Sequence, residues 1–220
     1  FTASENGKTK YVGVDIELAK DIAKDLGVKL VIKNMSFDSL LVALETGKVD
    51  MVISAMTPTP ERKQSVAFSK IYYKPSGEYF LVNKKDKDKY TSIQSLKGQT
   101  VGAQTGSNQY NLVKSQMKGS KLKGLGKINN LVLALQSGKV SAVVVEELIA
   151  KAYAENNSSL AAVRSNLKET QAGNAVAIAK GQDDLVAQVN KTIDQVQKKD
   201  LINKEYLPAA AKYMKTEKKS

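Results

Sequence analysis

One of the two arginines in this sequence occupies an unusual place. The segment TPTPER predicts a helix with Thr59 as its N-cap, Pro60 as its first residue and Arg62 in its first turn. A cation there opposes the helix dipole by roughly 0.3–1 kcal/mol, so its position indicates that Arg62 binds an anion. Its planar guanidinium can hold a carboxylate with two hydrogen bonds. The alternative is a solvated arginine on a surface helix.

A glycine turn supplies a second candidate anion site. In QTGSNQ, Gly106 allows a tight turn and Ser107 is a predicted N-cap, which leaves N–H groups at the start of the next helix for an anion. The signal is weak by itself, because most glycine–serine turns only cap helices.

Two glutamates end an otherwise apolar run, VSAVVVEE. One carboxylate at the end of a buried strand can bind an ammonium group, whereas its neighbour points to the other face and suits the start of a helix. We assign the ammonium group to Glu146 and the helix start to Glu147.

The composition disfavours catalysis and metal binding. The chain contains neither cysteine nor histidine, which removes thiolate chemistry, the commonest general base and the commonest transition-metal ligand. Glutamate, lysine and tyrosine could still support an enzyme, but we predict no cofactor, no metal site and no enzymatic activity. The net charge of +12 raises the alternative of nucleic-acid binding, but lysines are spread among acidic residues and only Arg62 and Arg164 are arginines. A surface adapted to an anionic cell envelope fits this pattern better.

Two near copies of one segment organise the chain. LVALETGKVDMVI (41–53) and VLALQSGKVSAVV (132–144) align without a gap, so Gly47 corresponds to Gly138. Each copy predicts a helix stopped by glycine and then a buried strand, which indicates an α/β fold with a parallel sheet in each half. The pattern also predicts helices over 13–27, 107–117 and 183–201, and strands over 28–35, 77–85, 100–104 and 174–181.

The strands over 77–85 and 174–181 are predicted to be two hinge crossings between similar lobes. We therefore predict a discontinuous first lobe, residues 1–82 and 178–220, and a second lobe, residues 83–177. A cleft between two lobes is a preferred ligand site, and in parallel sheets the ligand lies beyond the carboxyl ends of the strands. The segments SAMTPTPER, QTGSNQ and the paired glutamates all fall at such ends.

At these residues the chain resembles a known family. MSFDSLLVALETGKVDMVISAMTPTPERKQSVAFSKIYY is similar to the bacterial extracytoplasmic solute-binding proteins that deliver polar amino acids to ABC importers. YVGVDIELAKDIAKDLG, LKGQTVGAQTGSNQ and GKVSAVVVEE fit the same family in the same order. The resemblance covers essentially the whole chain. It implies a periplasmic-binding-protein-like fold that closes on an amino acid about its hinge.

The resemblance implies which residues bind the carboxylate of the amino acid. Arg62 and the backbone N–H of Thr57 are expected to bind the α-carboxylate. Ser107 and Asn108 are expected to assist from the other lobe.

The resemblance also implies contacts for the rest of the ligand. Glu146, together with Ser54 and the adjacent Ala55, is expected to bind the α-ammonium group. Phe37 matches an aromatic residue that packs along the ligand's side chain. The family usually has aspartate where this chain has Glu146, which keeps the charge and reaches one methylene further.

Contacts to the side chain must select the ligand. Phe37 offers an aromatic face to a flat guanidinium or an aliphatic stem, and Gln104, Asn108 and Glu78 offer polar groups. The positive net charge argues only weakly against a cationic ligand, because salt screens surface charges beyond about 8–10 Å. We predict a polar amino acid, with arginine or lysine ahead of glutamine.

Other properties follow from the resemblance. We expect an ABC importer permease as partner, a monomer, and a place outside the cytoplasm, either as a lipoprotein on the outer face of the membrane or in the periplasm. Family members begin with a strand that ends in Pro-Phe, and Phe1 falls near that phenylalanine, so we expect the first strand of lobe one to be missing from this sequence. A dehydratase-like enzyme acting on a cyclic carboxylic acid is the alternative, with Glu146 or Glu78 as the general acid.

Overall fold

The computed structural model describes residues 2–5, 8–168 and 173–214, and at residues 2–5, 8–9 and 211–214 it describes the backbone alone. The expected place of Phe1 lies outside the described residues. The strands in chain order are β1 (Thr2–Glu5), β2 (Lys8–Tyr11), β3 (Met51–Val52), β4 (Val66–Tyr73), β5 (Glu78–Asn83), β6 (Thr100–Gln104), β7 (Lys121–Leu125), β8 (Ala142–Glu146), β9 (Leu160–Arg164) and β10 (Asn174–Ala179). The helices are α1 (Val14–Asp25), α2 (Leu40–Glu45), α3 (Arg62–Ser65), α4 (Asn108–Gln116), α5 (Ile128–Gln136), α6 (Glu147–Asn156), α7 (Asp183–Lys199) and α8 (Leu207–Met214).

These elements form two compact units. Unit 1 consists of the described parts of residues 1–34, 40–74 and 172–220, and unit 2 consists of those of 35–39 and 75–171. The bounds differ from the predicted lobe boundaries at 82/83 and 177/178. The reason is that β5 lies between β8 and β9 in the sheet of unit 2, while β10 lies between β3 and β4 in the sheet of unit 1. Each strand is bonded on both sides within one sheet, so neither is a crossing.

Unit 2 contains a five-stranded sheet in the order β7-β6-β8-β5-β9. The strand β6 pairs in parallel with β7 and β8, whereas β5 is antiparallel to both its neighbours. All five residues of β8 are buried because alternate side chains pack on opposite faces. Ala142 and Val144 join a core that includes α4, and Val143 and Val145 join a core that includes α5 and α6. The predicted mixture of strands and helices with parallel pairing is confirmed for this unit, although β5 makes the sheet mixed.

Unit 1 contains a three-stranded sheet in the order β3-β10-β4, and its described pairings are antiparallel. The prediction of a parallel strand after Gly47 is therefore wrong for β3. The apolar faces of α1 and α7 cover this sheet, and Leu18, Ile22, Val189 and Ile193 are fully buried. Each such side chain contributes about 1.5–3 kcal/mol relative to an exposed one.

The predicted strand over 28–35 is absent, since the structure gives this segment no regular structure. None of the described strands pairs with it. Val28 and Val31 are 59% and 68% exposed. β-branched side chains favour a strand only when a neighbour supplies hydrogen bonds and a surface to pack on, and neither is described here.

The repeated segments end their helices in the same way. Gly47 N–H donates to Leu44 O at 3.1 Å and Lys48 N–H to Ala43 O at 2.9 Å. After α5, Gly138 N–H likewise donates to Leu135 O, and Lys139 N–H donates to Ala134 O. Both glycines have positive φ, so the predicted glycine stops are confirmed as matching left-handed C-caps.

No helix in the described parts of the chain is both long and apolar enough to cross a membrane.

Candidate functional site

The predicted arginine, Arg62, begins α3 directly after the loop that follows β3. Thr59 Oγ1 accepts a hydrogen bond from Arg62 N–H at 3.2 Å, and Thr59 O accepts one from Lys63 N–H at 3.0 Å. Thr59 therefore acts as the N-cap even though the regular helix begins only at Arg62, which confirms the predicted cap.

The guanidinium of Arg62 turns back onto this loop. Its Nη1 donates to Thr57 O at 2.8 Å, and the same carbonyl accepts Thr59 N–H at 2.9 Å. Burial lowers the pKa of Arg62 from its ordinary value, against the opposing effect of the Glu61 charge. Arginine remains charged, because its pKa starts above 12. Thr57 is 4% exposed, and within the described residues its N–H has no protein acceptor. A cation and a backbone donor therefore lie side by side, which suits a carboxylate.

Asp15 fixes the conformation of the same loop. Its Oδ2 accepts the N–H of Ala55 at 3.0 Å, and its Oδ1 accepts the hydroxyl of Tyr72 at 2.7 Å. Ala55 has φ of 46°, a left-handed conformation that an L-residue adopts only with support from its surroundings. Burial raises the pKa of Asp15, and the bonds from Tyr72 and Ala55 oppose that rise. Asp15 therefore positions Ser54 and Ala55, which are half-buried.

Unit 2 presents the N-terminus of α4 at the end of β6. Ser107 is the N-cap, and its Oγ accepts Tyr110 N–H at 3.2 Å, as predicted. The N–H groups of Asn108 and Gln109 lie in the first turn, where an α-helix provides no acceptor. The Nδ2 group of Asn108 is buried and has no hydrogen-bond partner among the described residues. A buried donor without a partner costs about 1–3 kcal/mol, and an anion bound here would remove that cost.

Phe37 lies beside this helix start. Its N–H donates to Gly126 O at 3.1 Å, and Gln104 Nε2 donates to the same carbonyl at 3.1 Å. Gly106 has φ of 77°, and a side chain on it would come within 3.3 Å of Asp38, so this position favours glycine. The short segment 35–39 therefore brings the buried Phe37 ring to the carboxyl end of the unit 2 sheet.

The paired glutamates have different surroundings. Glu147 accepts hydrogen bonds from Lys151 at 2.6 Å and from Ser76, and these bonds lower its pKa to about 2. It lies in the first turn of α6, so the predicted helix-start role is confirmed. Glu146 is 4% exposed and pairs across the sheet with Glu78, which is 2% exposed. Gln109 Nε2 donates to Glu78 Oε1 at 2.9 Å. Two buried carboxylates therefore lie on adjacent strands at the carboxyl end of β8.

The structure thus assembles the predicted residues in two groups, one in each unit. Asp15 and Gln109 were not among the predicted residues. Asp15 contributes through the fold rather than through a local pattern, although it lies within the segment YVGVDIELAK that carries the resemblance. The group in unit 1 is Ser54, Ala55, Thr57 and Arg62, and the group in unit 2 is Phe37, Gln104, Ser107, Asn108 and Glu146.

Comparisons with known proteins agree with one another over most of the chain. The sequence matches the family described as bacterial extracellular solute-binding proteins, family 3, over residues 1–213. It is 38% identical over 189 residues to the arginine-binding extracellular protein ArtP of Bacillus subtilis (strain 168), covering 84% of this chain and 72% of ArtP.

Solved structures give the same result. An amino acid ABC transporter substrate-binding protein from Streptococcus pneumoniae Canada MDR_19A, bound to L-arginine, matches with a TM-score of 0.91 and 38% identity over 96% of this chain and 88% of that one. An ancestral arginine-binding protein bound to glutamine matches with a TM-score of 0.82 and 38% identity, over 95% of this chain and 92% of that one.

Proposed function

This chain belongs to the bacterial extracellular solute-binding proteins of family 3, and from that membership we propose that it captures a polar amino acid for delivery to an ABC importer. The observation that carries the proposal is the similarity, over nearly the whole chain, to a solved protein bound to L-arginine. Arginine is the favoured ligand, lysine is next, and glutamine follows because a related ancestral protein has been solved with it.

The proposal assigns the α-carboxylate to Arg62, the Thr57 N–H and the start of α4. Each of these groups offers a donor to an anion: the guanidinium, a backbone N–H without a protein acceptor in the described chain, and the buried Asn108 amide. Charge-assisted bonds of this kind are shorter and stronger than neutral ones. Ser107 Oγ is occupied as an acceptor by the cap, but its own hydrogen remains available to donate.

The proposal assigns the positive groups of the ligand to unit 2. Glu146 supplies the negative charge for the α-ammonium group, with Ser54 and Ala55 of unit 1 as further partners. The Phe37 ring offers a face to a guanidinium or an aliphatic stem. Glu78, on the strand beside Glu146, adds a second carboxylate that favours a cationic side chain over a neutral one.

A thermal-shift panel of the common amino acids tests the function. At a concentration of 100 times Kd, a ligand adds about 2.7 kcal/mol to the free energy of unfolding, which raises Tm by roughly 5–10 °C for a chain of this size. We expect arginine and lysine to raise Tm more than glutamine, and leucine to have no effect. A response confined to leucine, isoleucine or valine would refute the proposed ligand class. If no amino acid responds, the enzyme alternative returns, and mass spectrometry of recovered candidate substrates would detect turnover.

The variant Arg62→Ala locates the binding site in the same experiment. Loss of one partner from a buried, charge-assisted pair costs about 2–5 kcal/mol, so calorimetry should show arginine affinity at least thirtyfold weaker. Arg164→Ala is the matched control, because it removes the same charge from an exposed position on β9 and should leave affinity unchanged. Near-normal binding by Arg62→Ala would remove Arg62 from the site.

The family description places its members outside the cell. Attachment to the outer face of the membrane by a lipid is a further part of the proposal. Intact-mass analysis of the natural protein tests it, and a mature form without lipid would contradict it.

A further inference from the structure

Unit 2 carries a long segment without acidic residues. From Lys89 to Val145 inclusive the sequence has eight lysines and neither aspartate nor glutamate. In the stretch just before it, from Lys84 to Lys89, lysines alternate with acidic residues. This stretch of unit 2 therefore carries a run of positive charge with no acidic residue inside it.

The fold gathers these lysines at one end of the sheet. Lys121 begins β7 and pairs with Thr100 at the start of β6, while Val101 pairs with Ala142 at the start of β8. The parallel strands therefore all begin at the same edge. The lysines at this edge, which we name the basic end, are Lys97, Lys114, Lys118, Lys121 and Lys139.

Hydrogen bonds hold the parts of the basic end together. Gly98 N–H donates to Gly119 O at 2.8 Å, and Lys121 N–H donates to Gln99 O at 2.8 Å. Ser141 Oγ donates to Gln99 Oε1 at 2.9 Å, which brings the turn containing Lys139 to the same place. A side chain on Gly119 would come within 2.9 Å of Lys97 Cγ, so the stem of Lys97 lies across that turn.

These charges have no counter-charge in the described structure. All five side chains belong to exposed residues, and none is within ion-pair distance of a carboxylate among the residues described. The C-terminus of α4 favours a cation at Lys114, but it does not account for Lys97 or Lys139, which lie outside that helix. Of the acidic residues in the neighbouring elements, Asp86 and Asp88 follow β5, and Glu155 lies in the last turn of α6.

The opposite end of the same sheet has the opposite character. Glu78, Glu146 and Glu147 lie at the carboxyl end of β8, near the start of α4 that the proposed function uses. A surface bound to the basic end would therefore leave the ligand-binding groups of unit 2 uncovered.

We infer that the basic end is an interaction surface for an anionic lipid bilayer. Lysine suits this partner because its compact charge on a flexible stem adapts to mobile phosphate groups, whereas recognition of a fixed phosphate pattern favours arginine. The only aromatic residue near the basic end, Tyr90, is 4% exposed, so no platform for stacking nucleic-acid bases exists in the described part of this edge. Family membership also places the protein where it meets a membrane surface rather than nucleic acid.

Vesicle sedimentation of the full chain tests the inference. We expect binding to phosphatidylglycerol vesicles at about 0.1 M salt, no binding to phosphatidylcholine vesicles, and release at about 1 M salt, where the Debye length falls from about 10 Å to about 3 Å. Because each lysine near an anionic surface contributes roughly fivefold in affinity, the triple variant Lys97→Gln/Lys118→Gln/Lys121→Gln should bind at least tenfold more weakly. Glutamine keeps the methylene groups that pack on Gly119.

The matched control removes the same charge elsewhere. Lys29→Gln/Lys48→Gln/Lys191→Gln changes three exposed lysines of unit 1 and should retain vesicle binding. Circular dichroism establishes that both variants fold. Equal weakening in both variants would show that diffuse net charge is responsible and would overturn the inference. Absence of vesicle binding at low salt, or tighter binding to duplex DNA than to vesicles, would also overturn it.

Discussion

At the residue scale, the backbone of Ala55 depends on a side chain far away in the sequence. Asp15 lies 40 positions earlier and Tyr72 is 57 positions from it, yet the three residues form one hydrogen-bonded group. Local patterns reveal the cap at Thr59 and the helix-start role of Glu147, because those depend on neighbours in sequence. They cannot reveal Asp15, whose partners are set only by packing α1 against β4.

Asp15 is not among the residues assigned to the ligand, but Asp15→Ala should still weaken amino-acid binding. Loss of the bond to Ala55 N–H removes about 1 kcal/mol of support for the left-handed loop, so we expect at least a fivefold loss of arginine affinity by calorimetry. Adding Ala55→Gly should restore part of it, because glycine adopts positive φ without the cost of a side chain.

Asp25→Ala is the control for this prediction. Asp25 lies at the other end of α1 and accepts the hydroxyl of Thr192 at 2.7 Å. Its loss should lower stability to urea but leave arginine affinity unchanged. If Ala55→Gly fails to rescue Asp15→Ala, the aspartate acts through general stability rather than through the loop.

At the scale of elements, the sequence patterns predicted the structure correctly wherever the contacts are local. The helices α1, α4 and α7 lie within about two residues of their predicted ends, because apolar spacing and caps determine them. The strand predicted over 28–35 was wrong. A strand exists only if another strand pairs with it, and that pairing cannot be read from the segment itself. The antiparallel pairing of β3 was missed for the same reason.

The two glycine caps permit a paired prediction. Gly47 and Gly138 have φ of 69° and 73°, and a methyl group on either would meet no atom within 4 Å. The cost of Gly47→Ala and of Gly138→Ala is therefore backbone strain alone, about 1–2 kcal/mol in each case. Urea unfolding should show similar losses for both, and smaller losses for asparagine, which tolerates this conformation. A neutral effect at either site would mean that its left-handed cap contributes nothing.

At the scale of the whole molecule, each unit has a hydrophobic core of its own. The core of unit 1 is built from α1, β4, β10 and α7, whereas the cores on the two faces of the unit 2 sheet contain only residues of unit 2. Sequence could predict two halves, because the repeat marks them. It could not locate the changes of unit at 74/75 and 171/172, which depend on the sheet that each strand joins.

Separate cores make local stability a test of which unit holds the amino acid. Hydrogen exchange of β8 reports opening of unit 2, and that of β10 reports opening of unit 1. If the proposed function is correct and both units contribute groups to the ligand, opening either one releases it. Arginine at 100 times Kd should then slow exchange in both strands by up to about a hundredfold, since a ligand stabilises the closed state by the factor 1 + [L]/Kd. Leucine at the same concentration should slow neither strand, and Arg62→Ala should abolish both effects. Protection of β8 alone would assign the ligand to unit 2 and contradict the role of Arg62, whereas protection of β10 alone would contradict the roles of Ser107, Asn108 and Glu146.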